Sequence, residues 1–303
     1  MKPRRLISFL RGFAALLFVG VAAHGAPLKV VATVPDLADF ATCIGGDKVE
    51  VFTLASGKED PHNVAIRPSM VTRLAQADLF IEMGLGLEHA YAPALLAESR
   101  NRKIQPGCPG HLDCSRGIAV RDVPKSLDRS EGDVHPLGNP HYNTDPGRMR
   151  VVIGEIAARL SEIDPADAAQ FQANAKQLAA TLDAKIVEWK RKLAGKNIRF
   201  VSYHPVWPYF AERFGVQPAG TIQPKPGIEP GPRYVEELIA RMKAENVLLI
   251  VKESFYSDRL PRQIAAATGA RLVTVPIQVH ATKEATDYIA FMDAVVNAFA
   301  GKE

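Results

Sequence analysis

The chain has 303 residues, three cysteines and a formal charge of +4, from 37 lysines and arginines against 33 aspartates and glutamates. Four of those basic residues (Lys2, Arg4, Arg5 and Arg11) lie at the N-terminal end, so the rest of the chain balances at 33 against 33. A neutral body excludes a general electrostatic pull toward nucleic acid or an anionic membrane, and the length suffices for two modest domains with cores of their own.

Residues 1–26 read as a secretory signal: a basic start, a mostly apolar run from Leu6 to Ala23 interrupted by Arg11, and small residues around Ala22-Ala23-His24-Gly25-Ala26. The mature chain is expected to begin between about residues 24 and 27, to be periplasmic in a Gram-negative host and to have no stable membrane insertion. No cysteine lies near the cleavage region, so no lipid anchor is expected.

Leu28 to Val34 has the composition of a buried strand, and a helix follows, opened by Pro35-Asp36 and closed at Gly45-Gly46. Cys43, on that helix, is expected to be a buried thiol. Val49 to Leu54 reads as a second strand, Pro68 to Ala77 as a helix, Asp78 to Met83 as a strand and Leu87 to Glu98 as a helix. Residues 105–146, rich in Gly, Pro and Asp, form a long irregular stretch of the kind that is functional or disordered. Within it, Cys108 and Cys114 are expected to form a local disulfide in an oxidising compartment. The alternative is a Cys-x2-His-x2-Cys zinc loop through His111.

Helix resumes at Pro146, and the longest helical pattern runs from Pro165 to about Leu193. There Phe171, Ala175, Leu178, Leu182, Ile186, Trp189 and Leu193 repeat at steps of four and three. About 28 residues at ~1.5 Å each span about 42 Å, which suits a strut between two lobes. Beyond Gly195 the alternation returns: strands at Ile198–Tyr203, Val216–Ile222, Val247–Lys252 and Arg271–Ile277, with helices between them and a terminal helix at Glu284–Ala300. The pattern predicts an α/β fold, two lobes of parallel-sheet βα units joined by one long rigid helix. The N-terminal lobe covers 27–164, the linking helix 165–194 and the C-terminal lobe 195–303.

Three histidines sit in short proline-flanked segments: Asp60-Pro61-His62-Asn63, Asn139-Pro140-His141-Tyr142 and Tyr203-His204-Pro205. Imidazole is the commonest metal ligand, and an adjacent proline stiffens the backbone that aims it. In open α/β sheets, ligands bind beyond the carboxyl ends of strands. His62 follows the second strand and His204 ends the strand from Ile198, so both should reach one interlobe cleft, with His141 arriving on the long loop. Neutral imidazoles suit zinc, copper, nickel or iron rather than calcium or magnesium.

These residues carry a resemblance to the substrate-binding components of zinc/manganese ABC importers, the cluster with a rigid helix between its lobes. The matching segments are Gly57-Lys-Glu-Asp-Pro-His-Asn63, Gly138-Asn-Pro-His-Tyr142 with Asp145-Pro146, Val201-Ser-Tyr-His-Pro-Val-Trp207, Pro226-Gly-Ile-Glu-Pro230 and Val251-Lys-Glu-Ser254. The resemblance spans essentially the whole mature chain and places the first three family ligands on His62, His141 and His204. Manganese-type members tend to have a glutamate at the third position, so histidine there favours Zn2+ over Mn2+. The family usually supplies an aspartate after the strand at Arg271–Ile277. Here that stretch reads Val275-Pro-Ile-Gln-Val-His280, so the fourth ligand is His280, or else Glu253 or water. Glu59 and Asp60 are placed to orient His62 or, equally, to cap the chain or face solvent. His135 is expected to play a supporting or structural role ahead of one in shuttling or recruiting metal.

What the resemblance implies is capture of a divalent metal and delivery to an ABC permease, by a monomer, with a periplasmic metallochaperone as a further candidate partner. A zinc hydrolase and an adhesin are the alternatives. No His-Glu-x-x-His helix and no Gly-x-Ser-x-Gly turn supports hydrolysis.

Overall fold

In the computed structural model, residues 26–124, 135–225 and 227–301 are described, so the expected signal lies outside the described residues apart from Ala26. Strands β1 (Leu28–Ala32), β2 (Val49–Thr53), β3 (Leu79–Glu82) and β4 (His111–Asp113) form a parallel sheet in the order β2-β1-β3-β4. Strands β5 (Arg199–Ser202), β6 (Gln217–Thr221), β7 (Leu249–Glu253) and β8 (Arg271–Val275) form a second, in the order β6-β5-β7-β8. Each sheet runs second, first, third, fourth along its own stretch of chain. Both therefore reverse winding between their first and third strands, where α/β sheets open a crevice.

Alternate residues of each strand enter different cores, as a sheet covered on both faces requires. Val30 and Ala32 of β1, and Leu79 and Ile81 of β3, face one apolar cluster, while Val31 and Phe80 face another. In the second sheet Phe200, Leu249 and Val251 join the first of these clusters, and Val201 and Ile250 face a third. The inner faces of the two sheets thus share one continuous core. Helices α1 (Pro35–Gly45), α4 (Pro146–Ile163), α6 (Pro208–Phe214) and α9 (Tyr288–Ala300) contribute to it. The outer faces are covered by α2 (Pro68–Ala75) and α3 (Ala92–Ser99) on one sheet and by α7 (Pro232–Ala244) and α8 (Arg259–Thr268) on the other.

Helix α5 (Ala168–Leu193) has 26 residues and so runs about 39 Å. Phe171, Ala175, Leu182, Trp189 and Leu193 of its apolar stripe are buried. Near its start Asn174 donates to the carbonyl of Ile44 at 2.9 Å, and near its end the Trp189 indole donates to Asp293 at 2.7 Å. One helix is therefore bolted to α1 and to α9. Among the described residues no helix is long and apolar enough to cross a membrane.

The structure corrects several expectations. The irregular stretch contains β4, a strand of three residues, too short to carry a period of its own. Cys108 and Cys114 are free. β4 lies between them, and the chain turns into it with the His111 N–H bonded to the Cys108 carbonyl at 3.0 Å. Cys114 is buried in the shared core. Nor does His111 form a zinc loop with them, because its ring bonds the carbonyl of Ile104 at 3.1 Å and Glu82 at 2.8 Å. Cys43 is exposed; the buried stripe of α1 is Leu37, Phe40, Ala41 and Ile44, at helical spacing, and position 43 falls off it. Helix α3 begins at Ala92 rather than Leu87: Tyr91, with φ of −137°, is its non-helical N-cap, and Pro93 falls in the first turn, where a missing N–H costs nothing.

Trp189→Ala removes both a core side chain and an interhelix hydrogen bond. It should lower the unfolding free energy by about 3–5 kcal/mol in urea titration of the metal-free protein. A loss below about 1 kcal/mol would show that the strut does not hold the lobes together.

Candidate metal centre

Asp60-Pro61-His62 and Asn139-Pro140-His141 adopt the same turn. Asp60 Oδ1 accepts the His62 backbone N–H at 3.0 Å and its ring Nδ1 at 2.7 Å. Asn139 Oδ1 accepts the His141 backbone N–H at 3.0 Å and its ring Nδ1 at 2.9 Å. The proline between them has no N–H to compete and holds φ fixed, so an Asx side chain can fold over it onto the histidine. An oxygen that already accepts a backbone N–H is an acceptor, which assigns the hydrogen of each ring to Nδ1 and the lone pair to Nε2.

His204 follows β5, and its Nδ1 lies 3.1 Å from Gln223 Oε1. Gln223 is held in turn by its backbone N–H, which bonds the carbonyl of Tyr203 at 2.8 Å. Asn139 links the lobes: its Oδ1 orients His141 while its Nδ2 donates to the carbonyl of Pro205 at 2.8 Å, beside His204.

The result is convergence. His62, His141 and His204 each present a ring nitrogen, and these atoms lie within 4.8 Å of one another. Ring centroids are 5.0 Å apart for His62 and His141, 5.6 Å for His62 and His204 and 5.5 Å for His141 and His204. All three residues are buried, at 7%, 4% and 4% exposure. His141 Nε2 has no hydrogen-bond partner among the described residues, a cost that a folded protein ordinarily avoids. Burial, reinforced by the neighbouring His62, holds the His141 pKa well below the usual histidine value and lowers that of His204 to about 4. Both rings are thus neutral at neutral pH, the form that binds a metal. At Asp60 burial would raise the pKa, but the hydrogen bond from His62 and the neighbouring imidazoles outweigh it and lower the value.

The structure does not bring His280 to the cluster. Its φ of 64° turns the chain, its N–H bonds the carbonyl of Ala285 at 2.7 Å, and the residue is exposed. Two residues earlier Gln278 is buried and donates to the carbonyls of Gly57 and Glu59 at 3.2 and 3.1 Å, tying the loop of His62 to the second lobe. Glu253 also stays out: its Oε1 accepts the Trp207 indole N–H at 2.8 Å, and burial pushes its pKa up to about 7. Glu59 caps Ser56, accepting its N–H at 2.8 Å, and does not orient His62.

Sequence reasoning missed Asn139 and Gln223. The repeated Asx-Pro-His spelling could have found the first, since Asn139 stands to His141 as Asp60 stands to His62. No local signal marks Gln223, which meets His204 only because β5 and β6 are neighbours. His135, expected in a supporting or structural role with metal recruitment as the alternative, has its Nε2 3.1 Å from His62 Nε2, with the two rings stacked at 5.0 Å.

Comparison with known proteins agrees with this geometry. Residues 30–301 match the family "ZnuA: Zinc-uptake complex component A periplasmic". The metal ABC transporter substrate-binding lipoprotein ScbA of Streptococcus cristatus is 26% identical over 270 residues, covering 84% of each chain. The high-affinity zinc uptake system protein ZnuA of Brucella abortus is 30% identical over 132 residues, 43% of this chain and 40% of that one. The manganese ABC transporter substrate-binding lipoprotein PsaA of Streptococcus mitis is 25% identical, covering 82% of this chain and 79% of its own. A crystal structure of ZnuA superposes with a TM-score of 0.77 at 25% identity, over 90% of this chain and 98% of that one. The Mn-bound periplasmic metal-binding protein of Candidatus Liberibacter asiaticus shares the fold, with a TM-score of 0.74 at 22% identity over 89% of this chain and 97% of its own. The chain belongs to the ZnuA family of periplasmic metal-binding proteins, substrate-binding components of ABC metal transporters rather than enzymes.

Proposed function

We propose that this protein captures Zn2+ in preference to Mn2+, through Nε2 of His62, His141 and His204, and passes it to the permease of an ABC importer. In this reading residues 1–26 are removed on export and the mature protein works in the periplasm as a monomer, with a metallochaperone as a further partner. The observation that carries the reading is the convergence of three imidazoles whose Nδ1 atoms each face a side-chain oxygen, leaving Nε2 toward a common point. Oxygen partners of this kind fix ring orientation and raise ligand basicity.

Relatives divide between zinc and manganese in their names, so the donor set must decide. Manganese favours carboxylate and water, whereas imidazole suits zinc, and zinc stands above manganese in intrinsic affinity for such ligands. The cluster is made of histidines, and Asp60 serves as partner to His62 Nδ1 rather than as a member.

Competition titration against a chromophoric chelator should find one zinc per chain, bound at least about tenfold more tightly than manganese. Tighter manganese binding would overturn the zinc assignment. His141→Ala should cost more than the ~10–100-fold typical of losing a supporting residue, and a variant with wild-type affinity would remove His141 from the site. Asn139→Asp keeps an oxygen for His141 but sets a carboxylate against the carbonyl of Pro205. It should weaken zinc binding by about 10–100-fold with an unchanged circular dichroism spectrum.

A further inference from the structure

Three imidazoles leave a tetrahedral metal one ligand short. His280, expected to supply it, is exposed, and Glu253, the other residue expected there, is not in the group of converging ligand atoms. Its Oε1 is bonded to Trp207 and its Oε2 is buried without a partner among the described residues, as is Oε1 of Gln278, whose Nε2 is bonded to the loop of His62. Among the described residues a further imidazole lies against the cluster, that of His135, half-buried, with centroids 5.0 Å from His62 and 6.0 Å from His141.

The His62–His135 contact is an unusual pairing. Both rings point Nε2 at each other, 3.1 Å apart. Two nitrogen ligands at ~2.0–2.1 Å from a tetrahedral zinc stand about 3.3 Å apart, so the pair already has the length of one edge of a coordination tetrahedron. With its Nδ1–H given to Asp60 at 2.7 Å, His62 in the form that binds a metal offers only a lone pair at Nε2. In the metal-free protein the hydrogen between the rings then belongs to His135 Nε2. A metal would take that hydrogen's place; the proton leaves to solvent, and His135 Nδ1 takes one up, so the ring remains neutral.

His135 also arrives with His141. Both lie on His135-Pro136-Leu137-Gly138-Asn139-Pro140-His141, a loop closed by the Gly138 N–H to the His135 carbonyl at 3.1 Å and by the Asn139 N–H to the carbonyl of Arg121 at 2.8 Å. Gly138 has φ of 108°, and a side chain there would collide with Val120 and with the Arg121 carbonyl, so the turn that sets both rings depends on glycine.

We propose that His135 is the fourth ligand of this site, in place of a carboxylate, and that the resulting all-imidazole set is what discriminates against manganese. The proposal rests on the reading of His62, His141 and His204 as ligands and adds the residue that completes and tunes them. A fourth neutral nitrogen gives the hard Mn2+ ion no anionic oxygen, while zinc loses little by the exchange.

The test uses the full exported chain with Co2+ as a spectroscopic stand-in for zinc, together with zinc and manganese competition titrations, on the wild type and on His135→Ala, His135→Gln and His135→Asp. Glutamine is the decisive variant: its amide can still donate to His62 Nε2 but is a poor ligand. Expected for wild type is the intense visible absorption of four-coordinate cobalt. Both His135→Ala and His135→Gln should keep one cobalt per chain with a much weaker band, as water replaces the ring, and should lose zinc affinity by at least about tenfold. His135→Asp should recover part of the zinc affinity and narrow the zinc-to-manganese preference by at least about tenfold. If His135→Gln keeps both the wild-type cobalt spectrum and the wild-type zinc affinity, His135 is only a hydrogen-bond partner of His62 and the proposal fails. A wild type that binds neither cobalt nor zinc at one per chain overturns instead the underlying ligand reading, whatever the His135 variants do.

Discussion

The site depends on one apolar core shared by two sheets. Val30, Ala32, Leu79 and Ile81 of the first lobe and Phe200, Leu249 and Val251 of the second lie in the same buried cluster, together with α1, α4, α9 and the stripe of α5. Opening the lobes like a hinge would expose part of that surface to water at roughly 25 cal/mol per Å2, so large rigid-body closure is disfavoured. The polar contacts between lobes follow the same seam. Arg213 grips the helix-capping Asp145 at 2.6 Å, the Tyr209 hydroxyl donates to the Asn139 carbonyl at 2.6 Å, and the Tyr288 hydroxyl donates to the Asn143 carbonyl at 2.7 Å. The spacing of histidines drawn from both lobes is therefore set by the fold rather than by a ligand, and Asn139, with one amide atom on each side, couples the two.

A fixed spacing of this kind has an electrostatic cost. Nitrogen lone pairs are brought together away from water, and His141 Nε2 finds no partner among the described residues. Burial keeps the rings of His135 and His204 neutral, with pKa values lowered to about 3 and about 4, so the cluster avoids mutual charge repulsion. Asp60 supplies the nearby negative charge and is bonded through a ring rather than to the common point. A divalent cation is the species that relieves this arrangement, and in the proposed role it is cargo: held by side chains alone and surrendered at the membrane.

Much of the architecture was legible in the chain because its signals are local. The strand–helix alternation and the stripe from Phe171 to Leu193 each follow from a period that burial imposes, and the three proline-flanked histidines announce themselves by spelling. What local pattern cannot carry is which loop tip meets which. His280 and His135 look alike as loop histidines, and only the positive φ at His280 and the turn at Gly138 send one to solvent and the other to the cluster. The cysteine pair misled for a related reason: six positions apart in a polar loop suits a disulfide, but Cys114 is drawn into the shared core, which its neighbours in sequence do not announce. Gln223 is silent in sequence because its importance exists only across a sheet.

The claim on which the rest turns is that oxygen partners on Nδ1 aim three lone pairs at one point before any metal arrives. Heteronuclear NMR of the imidazole nitrogens, in the metal-free protein and after one equivalent of zinc, tests it most directly. The account predicts Nδ1–H tautomers for His62, His141 and His204 without metal, and a zinc-induced shift at Nε2 of all three while each Nδ1 keeps its hydrogen. Protonated Nε2 atoms in the metal-free protein, or zinc that leaves these three rings unmoved, would contradict it.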